Sequence, residues 1–471
     1  MSHNFVPEDE IRYRFSHAMS EMYRAEVPQY GTLMELVEEV NRETLMQEPA
    51  LLSALTRNDE LDRLSVERHG AIRLGTPREL FNIRRVFAVM GMYPVGYYDL
   101  SVAGIPVHST AFRPVNDESL RRNPFRVFTS LLRLELIEDE ALREQADVIL
   151  SRRKIFSDHA LALVSKAEKE GGLFHSDANN FVEEVLETFR WHGDATVTRD
   201  IYSRLHDAHR LVADVVSFKG PHINHLTPRT LDIDAVQAGM PTRGISPKAV
   251  IEGPPKRKCA ILLRQTSFKA LEETIKFEDF AADNELGTHT ARFGEIEQRG
   301  VALTAKGRRL YDDLLASVRN DVQVGSSGGN SGDYDSKLIE TFGKFPDDWD
   351  ELRKEKLAFF RYSATEKGLY AASRFQLPAT VGELVDAGYV RFDPIVYEDF
   401  LPVSAAGIFQ SNLGTDAQQN YSERSNRSAF ENALGSAVQD ELDLYAHAEQ
   451  RSLDQTFEAL GHPELAHRSA S

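Results

Sequence analysis

Phe218 to Asp234 reads FKGPHINHLTPRTLDID, and it sets two histidines, His222 and His225, three residues apart. On a helix that spacing would put both imidazoles on one face, the layout of a local metal pair. Pro221 and Pro228 bracket the segment, and each biases the residue before it away from the helical region. The segment is expected to be an extended loop. Any metal it touches must therefore take its other ligands from distant parts of the chain.

Composition bounds the rest. The chain has 471 residues, 41% hydrophobic and 27% charged, which suits a globular protein with ample apolar material for a core. No apolar run has the length of a membrane-spanning helix, and the first residues, MSHNFVPEDEIRYRF, lack the basic-then-apolar layout of a signal peptide. One cysteine, Cys259, leaves no room for a disulfide framework or a cysteine-rich metal site. A cytoplasmic protein is expected, with no membrane partner. The net charge of −18 argues against a broad basic surface for nucleic acid. It leaves open a small anionic substrate, because one arginine in a pocket overrides a global field.

The spacing predicts mainly helix over the first sixty residues. Thr76-Pro77 supplies an N-cap and first-turn proline for an amphipathic helix over Glu79–Met90. Tyr97 to Val115 reads as strand, turn at Gly104, strand; Phe125 to Leu136 fits either strand or helix. Helices are expected over Asp177–Arg190 and Thr198–Val212, strands over Cys259–Gln265 and Thr290–Thr304, and a helix over Lys306–Val318. VGSSGGNSGDYDS, residues 324–336, reads as a flexible Gly/Ser loop. KLAFFRYSAT and GYVRFDPIVYEDFLPVSAAGIF read as late strands, and Ser428–Ala459 as a charged helical tail. The class is α+β.

Three scattered pieces could meet at a metal. His69 lies in ERHGAIRLG, the two histidines in HINH, and two acids, Glu295 and Glu297, in GEIE. Each alone has a plain explanation: a surface or capping histidine, a hydrogen-bonded loop pair, the charged outer face of a strand. Together, two imidazoles and a carboxylate form the set that non-haem Fe(II) oxygenases use, with open positions for O2 and a chelating substrate. Zinc enzymes use the same ligand types, so the set alone leaves the metal open.

Four segments in order, ERHGAIRLGTPREL, GPHINHLTPR, RFGEIEQRGVALT and FLPVSAAGIF, resemble the 2-oxoadipate dioxygenase/decarboxylase family, also called hydroxyglutarate synthase. The resemblance spans most of the chain. It implies a vicinal-oxygen-chelate-like mixed β-sheet half-barrel that holds a metal and is wrapped by additional helices. It implies Fe(II) on His69, His225 and Glu295, with His222 a neighbour and not a ligand. Glu295 and Glu297 would share one face of a strand, and geometry must choose between them. Arg73 would grip the distal carboxylate of the substrate, supported by Val403 and Ser404, because a guanidinium holds a carboxylate with two parallel hydrogen bonds.

The implied reaction takes 2-oxoadipate and O2 to 2-hydroxyglutarate, expected as the D form, and CO2, within lysine catabolism. The substrate is itself the molecule hydroxylated, so no separate 2-oxoglutarate is needed. The organisation expected with it is an N-terminal helical region (1–64), a metal-binding core with helical insertions (65–323), the Gly/Ser loop (324–336), remaining core strands with a substrate-binding loop (337–425) and a C-terminal helical tail (426–471). Two other readings use the same residues: a zinc-dependent hydrolase, and a non-catalytic metal-containing protein that binds an acidic metabolite.

Overall fold

A computed structural model describes residues 5–101, 104–268, 272–279, 286–290, 292–321, 331–401 and 426–463. The chain forms two compact units, each discontinuous in sequence: residues 1–248, 265–297 and 401–439 in one, and 249–264, 298–400 and 440–471 in the other. The expected boundaries were contiguous. Residues 249–264 and 298–321 of the expected 65–323 stretch group with the second unit.

The first unit holds a five-stranded mixed sheet in the order β2-β3-β4-β1-β5, from β1 (Arg68–Leu74), β2 (Tyr93–Asp99), β3 (Val107–Arg113), β4 (Arg126–Leu132) and β5 (Leu226–Pro228). β1 runs parallel to β4, and the other pairs are antiparallel. The crossover from β1 to β2 is the helix Pro77–Val89, whose start is local chemistry. Thr76 accepts from the Glu79 amide, Glu79 reaches back to the Thr76 amide, and Pro77 loses no helical bond at that position. Gly104 takes the left-handed turn between β2 and β3, with φ +72°. Phe125–Leu136 resolves to a strand, β4, followed by one 3-10 turn at Leu134–Leu136, and the strand's apolar side chains Val127, Leu131 and Leu132 are buried.

Proline at the first turn starts two of the N-terminal helices, Pro28–Gln47 and Pro49–Arg57, after a first helix at Glu8–Glu26. The helix expected over Thr198–Val212 is two, Arg199–Ala208 and Arg210–Val216. His209 breaks it: its backbone is extended and its Nδ1 accepts from the Leu211 amide, capping the second helix.

Two expected strands are displaced or shortened: β6 is Leu263–Ser267 and β9 is Glu295–Arg299, and they pair with each other. Another short ribbon pairs β7 (Glu273–Ile275) with β8 (Gly287–His289). The loop expected at 324–336 is corrected over its last part, since Ser331–Phe342 is a helix. Burial of Leu338 and Phe342, the latter edge-on to Tyr311 at 5.5 Å, outweighs the glycine- and serine-rich start. Residues 324–330 lie outside the described residues.

In the second unit β10 (Phe360–Ala364) pairs with β11 (Val390–Pro394), and the helix Glu441–Ala459 lies along β10. Glu449 accepts from the Phe360 amide at 2.8 Å and Ser452 from the Tyr362 amide at 2.9 Å, so helix side chains satisfy the free edge of the strand. The tail is not one helix. Helix 426–434, in the first unit, ends at Gly435, with φ +73°, and Gln439 then hydrogen-bonds β2 at Pro94 and Gly96. Among the described residues no helix is long and apolar enough to cross a membrane.

Candidate active site

The sheet brings the site together along one face of β1, where alternate residues Glu67, His69, Ala71 and Arg73 fall on the same side. The HINH loop lies against this strand in extended form, as its prolines require. The Asn224 amide donates to the Ala71 carbonyl at 2.9 Å, and the Phe293 amide donates to the Asn224 carbonyl at 3.1 Å. Gly70 makes the close approach possible. A Cβ there would stand 2.5 Å from Ile223 Cδ1 and 3.0 Å from the His225 carbonyl oxygen.

His69, His225 and Glu295 converge. One ligand atom from each lies within 4.8 Å of the other two, a group able to hold a metal ion. Nε2 of His69 and Nε2 of His225 stand 3.1 and 3.6 Å from the same oxygen, Oε2 of Glu295. That carboxylate is aimed by Thr227, directly opposite His69 in β5, whose hydroxyl donates at 3.0 Å. Gln265 Nε2 in β6 donates at 3.3 Å.

Glu297 does share the face of Glu295, and geometry separates the two. Its Oε2 lies 2.9 Å from Nδ1 of His69, on the other edge of the ring from Glu295. Glu295 faces the cluster, whereas Glu297 orients one of its imidazoles.

The electrostatics suit a cation. Burial opposes protonation of His69, but Glu297 and Glu295 on its two nitrogens outweigh it and raise its pKa. Burial drives His225 down to about 4, so that ring is neutral and offers a lone pair at physiological pH. Burial also opposes ionisation of Glu295, yet the imidazoles of His225 and His69 and the Thr227 hydroxyl hold its carboxyl below the usual range. A neutral imidazole, a carboxylate and a second imidazole whose far nitrogen is already engaged form a donor set that fits a divalent ion.

Beneath His69 lies a fully buried carboxylate, Glu67. Arg63 spans both its oxygens at 3.0 and 3.1 Å, Arg126 of β4 reaches one at 2.9 Å, and Arg229 beyond β5 the other at 3.0 Å. Burial opposes ionisation, but three guanidiniums hold Glu67 well below the ordinary carboxylate range. The cluster ties β1, β4 and the end of β5 together at the level of the histidine.

On the other side of Ala71, Arg73 donates from Nη1 to Asp214 Oδ2 at 2.7 Å. His222 is buried beside the same acid, its Nε2 3.3 Å from Asp214 Oδ1, and is not in the metal-capable group. Val403 and Ser404 lie outside the described residues. Sequence reasoning missed Asp214, His289, Glu67, Thr227 and Gln265. Asp214 carried a signal, since it is the one charged residue in the apolar run LVADVV, residues 211–216.

With this geometry in place, comparison with known proteins is informative. The family model described as 2-oxoadipate dioxygenase/decarboxylase matches residues 15–412. The chain belongs to the 2-oxoadipate dioxygenase/decarboxylase family. It is similar to the 2-oxoadipate dioxygenase/decarboxylase of Pseudomonas putida, 60% identical over 459 residues that cover 98% of each chain. The Escherichia coli strain K12 protein of the same name is 57% identical over 449 residues, 95% of this chain and 98% of that one. A crystal structure of the Pseudomonas putida hydroxyglutarate synthase in complex with 2-oxoadipate matches with a TM-score of 0.91 at 59% identity, over 98% of this chain and 100% of the other. Membership in the dioxygenase/decarboxylase family makes this chain an enzyme of the oxygenase class.

Proposed function

We propose that this protein is an Fe(II)-dependent dioxygenase that converts 2-oxoadipate and O2 to D-2-hydroxyglutarate and CO2, in lysine breakdown. The observation that carries the reading is a two-histidine, one-carboxylate group gathered at His69 of β1 and, four residues along the same strand face, a partly exposed arginine, Arg73. Four strand residues span about 13 Å. That leaves room for a six-carbon diacid between a metal at one end and a guanidinium at the other. The P. putida relative, whose structure holds 2-oxoadipate, supports the same substrate. The path from β1 through a helix to β2, β3 and β4 supports a vicinal-oxygen-chelate-like half-barrel as the frame.

His69, His225 and Glu295 would hold the iron. When bound, Fe(II) supplies the Lewis acidity that chelates a 2-oxo acid and the electrons that activate O2. The chain's own residues do the rest. Glu297, with Oε2 2.9 Å from Nδ1 of His69, would hold the proton on that nitrogen and so leave Nε2 as the ligand atom. Thr227 and Gln265 fix the rotamer of Glu295. Arg73 takes the distal carboxylate, with Val403 and Ser404 in support, and Ala71, small and between the two ends, leaves space for the methylenes. A diacid of different length cannot meet both ends at once.

The test is an oxygen-electrode trace with the Fe(II)-loaded enzyme and 2-oxoadipate, with chiral analysis of the product. Oxygen uptake should match 2-hydroxyglutarate and CO2 one to one. Turnover by the zinc-loaded protein without oxygen uptake would establish the hydrolase instead, and no turnover with either metal would leave a binding protein.

A further inference from the structure

Asp214 sits at the head of a chain of buried polar groups behind Arg73. Its Oδ2 takes the guanidinium, and its Oδ1 accepts from Nε2 of His289 at 2.9 Å. A carboxylate can only accept, so His289 carries its proton on Nε2 and its Nδ1 accepts from the Tyr202 hydroxyl at 2.8 Å. Trp191 closes the cluster, parallel to His289 with ring centroids 6.0 Å apart and edge-on to His222 at 4.7 Å. Burial opposes ionisation of Asp214, but His222 and Arg73 hold its carboxyl well below the usual range. The acid is thus an anion locked on both oxygens.

Arg73 is bound to that anchor through one nitrogen alone. Among the described residues its Nε and Nη2 have no hydrogen-bond partner. Two effects compete in such an arrangement. The negative charge of Asp214 opposes a second carboxylate nearby, whereas the fixed guanidinium spares the entropy of ordering a long side chain when substrate binds. Both Asp214 oxygens are already engaged by cationic or hydrogen-bonding partners, which blunts the repulsion and leaves preorganisation dominant.

We propose that Asp214 is the positioning residue for Arg73, and that the Asp214–His289–Tyr202 chain fixes the distance from the guanidinium to the metal group, and with it the length of 2-oxo diacid accepted. The inference rests on Arg73 being the carboxylate grip. Asp214→Asn should raise KM for 2-oxoadipate about tenfold, the size of one charge-assisted hydrogen bond, while kcat changes less than about threefold. Anaerobic calorimetry of 2-oxoadipate with the Fe(II) enzyme should show the same weakening in Kd, with iron content unchanged. Preference over the diacid one methylene shorter should narrow.

Tyr202→Phe keeps every charge and should give the same pattern at about threefold, and it decides the matter if the Asn variant does not fold. An unchanged or lowered KM, or a loss confined to kcat, overturns the proposal. Arg73→Ala is measured alongside. If it leaves KM unchanged, the grip reading itself has failed; if it raises KM while Asp214→Asn and Tyr202→Phe do not, only the positioning role has failed.

Discussion

His69 and Glu297 meet at 2.9 Å through Nδ1 and Oε2, on the ring edge away from Glu295. Two glutamates two residues apart on β9 thereby take different tasks on one imidazole. Glu295→Gln removes the anionic member of the metal-capable group and should abolish iron binding and turnover, as should His69→Ala or His225→Ala. Glu297→Gln keeps a hydrogen-bond acceptor for Nδ1 but not the charge. It should weaken iron affinity by about 10- to 100-fold and recover most of its kcat at saturating iron. Metal titration followed by activity at high iron separates these outcomes. Equal, unrecoverable loss in both variants would place Glu297 among the ligands.

Gly70 is where the loop carrying His225 comes flush against the strand carrying His69. Ala in its place would press on Ile223 Cδ1 and the His225 carbonyl. Ile223 can shift, but the carbonyl belongs to the loop backbone, so the imidazole moves with it. Gly70→Ala is expected to destabilise the fold by about 1–3 kcal/mol and to cost iron affinity more than substrate affinity. Thermal melting and iron stoichiometry check both halves. Normal iron affinity in that variant would show that the loop is not held by this contact.

Glu67 neutralises part of a buried cluster that carries three guanidiniums. Converting it to Gln keeps the shape and removes the charge, which leaves Arg63, Arg126 and Arg229 without their shared anion. Removing one partner from a buried charge network costs about 3–5 kcal/mol. Glu67→Gln should therefore lower the denaturation midpoint more than any exposed carboxylate substitution, although it touches no substrate. A midpoint within error of the parent would mean that other groups already balance the arginines.

What could be read from the sequence divides by range. The N-cap and first-turn proline at Thr76-Pro77, the extended HINH loop between its prolines, and the turn at Gly104 depend on neighbours in sequence, and the structure shows all three. The candidate site was legible only through the family resemblance, since His69 and Glu295 lie 226 residues apart. Asp214 with Arg73, and Glu67 with Arg126 and Arg229, were not legible. Each is a tertiary pair of ordinary surface-type residues, and only burial makes it informative. The Gly/Ser start of residues 331–336 misled because local composition favours a loop, whereas the helix is stabilised by Leu338 and Phe342 further along.

Glu449 links helix and strand in the second unit and makes that link sensitive to pH. Burial raises its pKa to about 7, while its oxygen accepts from the Phe360 amide. A carboxyl with that folded value and an ordinary value of 4.5 when unfolded is protonated in the folded chain and ionised in the unfolded one between those limits. The folded state then binds more protons, so the contribution of this group to stability is greatest below pH 4.5 and is lost as pH rises through 7. Glu449→Gln keeps the acceptor for Phe360 and cannot ionise. It should match the parent near pH 5, exceed it at pH 8 by on the order of 2 kcal/mol after solvent screening, and flatten the profile between. Denaturation midpoints across that range test the sign; a variant whose profile stays parallel to the parent's would assign the titration to another group, such as Glu441, which burial also raises to about 7.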